Sequence, residues 1–67
     1  MSATATPIYV PRELNERTGD GMTVKLFWDP SADQCYVSVV SEFETFIVMV
    51  HEGQKPMDVF NHPFAYR

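Results

Sequence analysis

Across residues 22–50 apolar and polar positions alternate in three separate runs, and a period of two is the signature of β-strands. Met22-Thr-Val-Lys-Leu-Phe-Trp28 places Met22, Val24, Leu26 and Trp28 on one face. Asp29-Pro-Ser-Ala-Asp-Gln34 is built from turn-forming residues, and the β-branched and aromatic run Cys35-Tyr-Val-Ser-Val-Val-Ser41 follows it. The chain turns again around Glu42-Phe43, extends from Glu44 to Val50, and breaks at His51-Glu-Gly-Gln54.

Setting Trp28 opposite Cys35 and Ser41 opposite Glu44 aligns Leu26 with Val37 and Val48, and Val24 with Val39 and Phe46. One sheet face is then wholly apolar, and a one-residue slip in either hairpin would scramble it. The other face mixes Thr23, Lys25, Ser38 and Thr45 with Phe27, Tyr36, Val40, Ile47 and Met49. A face that meets only water sorts more cleanly than this. Phe27, Tyr36, Val40, Ile47 and Met49 are therefore the candidate interaction surface, contiguous once the strands pair.

Beyond the third run, Pro56 can open a short helix, because its missing N–H costs nothing at the first helical position. Met57 and Phe60 share a face, extended by Phe64, and Pro63 predicts an end near Asn61 or His62. The helix should lie on the all-apolar face, with Phe60, Phe64 and Tyr66 closing over Trp28 or the Val37–Val48 pair. The expected fold is α+β: a three-stranded antiparallel β-meander followed by one short C-terminal helix, in the order β-β-β-α.

Residues 1–18 carry Thr, Ala, Pro and cancelling charges, and Pro7 and Pro11 hold Ile8-Tyr9-Val10 extended. They read as a flexible N-terminal tail, with a bound strand or docking arm as the sharper alternative. Thr18-Gly19-Asp20-Gly21 marks a turn, since Gly and Asp tolerate positive φ. Residues 19–67 are expected to form the single small domain.

The 67 residues carry a net charge of −4, and residues 18–66 hold seven acids against two lysines. A phosphate backbone would be repelled by that stretch, which argues against nucleic-acid binding. No run approaches the length of a membrane-spanning helix. The first residues have neither the basic nor the apolar region of a secretory signal, and a single cysteine forbids an internal disulfide. A cytoplasmic protein is expected.

Candidate chemistry is sparse. Cys35, His51 and His62 lie sixteen and eleven residues apart and form no close ligand pair of the kind a zinc site uses. Asp29-Pro-Ser-Ala-Asp33 opens like a calcium loop, but Gln34 stands where Gly is needed and Val40 where Glu is needed. Asp29 and Asp33 are expected instead to shape their own turn by hydrogen bonding. Gly19 and Gly21 precede a strand, whereas a phosphate loop precedes a helix. Glu42 and Glu44 sit on an exposed turn, a poor setting for general acid catalysis. No catalytic residue, cofactor or metal is expected.

Trp28-Asp29-Pro30 closing a strand, with Phe60-Asn-His-Pro-Phe-Ala-Tyr66 near the end, resembles small uncharacterised proteins of high-GC Gram-positive bacteria. The resemblance covers the last 46 residues, excludes the tail, and implies a bacterial cytoplasmic protein without implying an activity.

Chains this short bury little surface, and this one has no disulfide to stabilise it. The expectation is a non-catalytic module that pairs with a protein partner or with itself, as a homodimer. The alternative is an acidic regulator occupying a basic site on a nucleic-acid-binding protein.

Overall fold

In the computed structural model, which describes residues 10–67, Asp20 and Gly21 both take positive φ, 53° and 76°. A two-residue turn of that kind matches the right-handed twist of the strands it joins. It connects β1 (Arg12–Gly19) to β2 (Met22–Asp29), and β3 (Gln34–Ser41) and β4 (Thr45–Met49) complete an antiparallel sheet in the order β1-β2-β3-β4. Two short helices follow, α1 (Pro56–Asn61) and α2 (Pro63–Tyr66).

The register of β2, β3 and β4 is the one that hydrophobic sorting selects. Trp28 pairs with Cys35, Leu26 with Val37 and Val24 with Val39. Val37 pairs with Val48 and Val39 with Phe46, and Ser41 N–H donates to the Glu44 carbonyl at 2.9 Å. Val24, Leu26, Val37, Val39, Val48 and Val50 are buried, with Val59 and Phe60 of α1 packed over them. Each such side chain contributes about 1.5–3 kcal/mol relative to exposure.

Three expectations are corrected. The sheet has four strands, because residues 12–18, expected within a flexible tail, pair along β2 as part of β1. β1 is exposed throughout, so it carries no apolar stripe and its pairing rests on backbone bonds and on the turn. The expectation for residues 1–9 lies outside the described residues.

The C-terminal segment is two helices, because Pro63 ends α1 and restarts the chain as the first residue of α2. The face of α1 is also rotated from the expected one. Val59 and Phe60 are buried while Met57 and Phe64 remain 47% and 45% exposed. Burial of Val59 and Phe60 in the apolar cluster sets that face, and β1 holds the end of the helix: Arg17 Nη2 donates to the carbonyls of Phe60 and Asn61 at 3.0 and 3.3 Å, with the guanidinium 5.4 Å from the Phe60 ring centre.

At the end of the chain, Arg67 pairs with Glu44 and lies against the rings of Phe46 and Phe64. Those two rings meet edge to face at 5.2 Å. Tyr66 packs against the core as expected, whereas Trp28 stays partly exposed and donates its indole N–H to Asp33 at 3.0 Å.

Candidate interaction surface

Both helices follow the sheet on the side of Val24 and Val37, and α1 lies over β2 and β3. Alternation then turns Phe27, Tyr36, Val40, Ile47 and Met49 to the opposite side. Phe27 and Tyr36 are cross-strand partners whose rings stack at 5.2 Å and 21°. Such a pair contributes about 0.5–1.5 kcal/mol beyond its buried area. Met49 pairs beside Tyr36, and Ile47 sits opposite Ser38. Val40, Ile47 and Met49 are 48%, 58% and 42% exposed.

Ser38 is the low point of this face. Its short side chain between the Lys25 and Ile47 rows leaves an open groove of about 370 Å³, lined by Thr23, Lys25, Phe27, Ser38 and Val40. The groove is mostly apolar, with Lys25 as its charged wall.

β1 adds residues that periodicity does not reveal. Glu13 and Glu16 are three apart and would point to opposite faces of a regular strand. The bulge at Leu14, where the register shifts between Glu13 and Asn15, turns both toward Lys25. Lys25 Nζ lies 3.2 Å from Glu13 and 3.6 Å from Glu16. The hydrogen bond to Glu13 and the charges of both glutamates raise the Lys25 pKa above 10.5. This face is therefore charged but internally paired along β1, and apolar toward β4.

Phe43 is a further residue outside the expected set. It stands at the tip of the β3–β4 hairpin, 93% exposed between Glu42 and Glu44. The signal for it was present, as a large aromatic in a turn has no local partner.

The other candidates have local duties. Asp29 accepts from the Ser31 amide at 3.0 Å and the Ser31 hydroxyl at 2.7 Å, and these bonds, led by the hydroxyl, lower its pKa below 3.8. Asp33 serves the turn in a different way, through a left-handed φ of 48° and its bond to Trp28. Cys35 is half-buried at the margin of the core, the His51 amide donates to the Gln54 side chain at 2.9 Å, and His62 ends α1. The described residues bring together no group of three or more His, Cys, Asp or Glu that could hold a metal.

No family model, curated protein or solved structure matches the chain. No helix among the described residues is long and apolar enough to cross a membrane.

Proposed function

We propose that this chain is a non-catalytic protein–protein interaction module that associates with a second copy of itself through the face bearing Phe27, Tyr36, Val40, Ile47 and Met49. The observation that carries the reading is that Val40, Ile47 and Met49 stay 42–58% exposed beside a stacked aromatic pair, on the side of the sheet away from α1. Contiguous exposed apolar side chains mark interaction sites, and two-fold dimers are the commonest arrangement in which a chain meets its own copy. A cytoplasmic location goes with this reading, as the composition suggests.

The acidic-regulator alternative draws less support from the charges. Glu13 and Glu16 are engaged with Lys25, and Glu44 with Arg67. Association driven by acids would weaken steeply with salt, whereas apolar association is nearly salt-independent.

Analytical ultracentrifugation at micromolar concentration tests the proposal. A dimer is expected, with little change between low and high salt. Ile47→Lys places a charge in the middle of the patch at a side chain that is 58% exposed, so the fold is retained. It should weaken association by at least about tenfold, the equivalent of ~1.4 kcal/mol. A wild-type chain that remains monomeric, or a dimer indifferent to Ile47→Lys, tells against the proposal.

A further inference from the structure

The two outermost strands of the sheet formed by the described residues differ. β1 is interrupted by the bulge at Leu14 and carries Arg12, Glu13, Glu16 and Arg17 within eight residues. Bulges and charges are what natural sheets use to prevent strand addition. β4 reads Thr-Phe-Ile-Val-Met, with no charge, proline or glycine, and its pairing to β3 runs without a register shift. Among the described residues no strand pairs with its outer edge.

The hydrogen-bond parity of β4 shows which groups that edge presents. Val50 N–H donates to the Cys35 carbonyl at 2.9 Å, and Ser41 N–H to the Glu44 carbonyl at 2.9 Å. In an antiparallel ladder, bonded and non-bonded pairs alternate. Residues 44, 46, 48 and 50 therefore direct their backbone groups to β3, and Thr45, Ile47 and Met49 direct theirs outward. The side chains of these same three residues lie on the exposed face, so the free backbone edge and the apolar patch meet along one strand.

Resting on the second copy proposed above but on a narrower contact than the whole face, we infer that two copies join edge to edge, β4 antiparallel to β4, with Ile47 opposite its own copy; Ile47 and Met49 come to the seam, while Phe27, Tyr36 and Val40 stay exposed beside it. In that register Thr45 lies opposite the partner's Met49, and every outward N–H and C=O of the strand finds a partner. No charged residue of β4 opposes another, because the strand has none. Ile47 packs beside its copy on the exposed face, and Phe46 lies beside the partner's Val48 on the helix side. Phe43, 93% exposed at the hairpin tip, is carried alongside the turn that follows β4 in the other copy. The guarded edge at β1 leaves the assembly closed at two chains, as an eight-stranded sheet with a doubled apolar face. Strand addition of this kind draws its affinity from main-chain bonds and its register from side chains.

Hydrogen exchange across a dilution series separates this arrangement from face-to-face packing. The amides of Thr45, Ile47 and Met49 should slow by at least about tenfold as the chain dimerises, while those of Phe46 and Val48, already bonded to β3, serve as internal references. A synthetic chain N-methylated at Ile47 keeps its side chain and its bonds to β3, and should lose at least about tenfold in affinity. If the chain dimerises while these three amides exchange at the monomer rate, or if N-methylation leaves affinity unchanged, edge pairing is overturned and self-association by another contact stands. A chain monomeric at every concentration overturns both.

Discussion

Tyr66 donates its phenolic hydrogen to the Asp58 carboxylate, and that bond raises the Tyr66 pKa above 10.0. A group whose folded pKa is raised stabilises the fold fully below its unfolded pKa and loses that contribution as pH rises through the folded value. The Asp58–Tyr66 bond, which spans α1 and α2, should therefore fail only above pH 10, and the pairing of Lys25 with Glu13 and Glu16 only above pH 10.5. Tyr66→Phe should lower stability at pH 7 and flatten the part of the alkaline decline that belongs to the tyrosine. Thermal unfolding from pH 7 to 11 reads this directly, and identical profiles for the two proteins would remove the bond from the account. Glu13 and Glu16 make a related point about local geometry. Their spacing reads as opposite faces of a strand, and one inserted residue puts both on Lys25.

Among the elements, β1 is the one whose stability comes least from apolar burial. It is exposed along its length, yet Arg17 reaches from it across the helix side to the end of α1. Carbonyls in the last turn of a helix lack intrahelical partners, and a guanidinium satisfies two of them with one planar group. Arg17→Met should cost about 1 kcal/mol, and Arg17→Lys should recover only part, since an ammonium loses the planar guanidinium contact over the Phe60 ring. Urea unfolding measures the loss, and faster amide exchange in α1 would locate it. A variant as stable as the wild type would mean that α1 is held by Val59 and Phe60 alone.

For the whole molecule, one sheet face is closed by the two helices and the other is left to solvent. A one-sided core in a chain of 67 residues is marginal, and association with a second copy adds stability by mass action. The melting temperature should therefore rise with protein concentration, and Ile47→Lys should abolish that rise while leaving the dilute-limit value nearly unchanged. A melting temperature independent of concentration would indicate that the fold is self-sufficient.

The sequence by itself determined the three apolar strands and their register, because only one alignment puts Val24, Leu26, Val37, Val39 and Val48 on one side. That is a global sorting constraint written into local alternation. It also placed Phe27, Tyr36, Val40, Ile47 and Met49 together on the other side. β1 escaped periodicity because a polar edge strand has no apolar stripe to display, although Asp20-Gly21 was a hairpin signal that requires a strand on each side. Tertiary structure decided the rest. Arg17 meets the end of α1 from a strand 43 residues away, and the Glu13–Lys25–Glu16 cluster depends on a bulge. The difference between a guarded edge and an open one emerges only when the strand order shows which strands lie outermost. Each of these follows from how the strands and helices are set against one another in space, which the alternation along any one segment does not record.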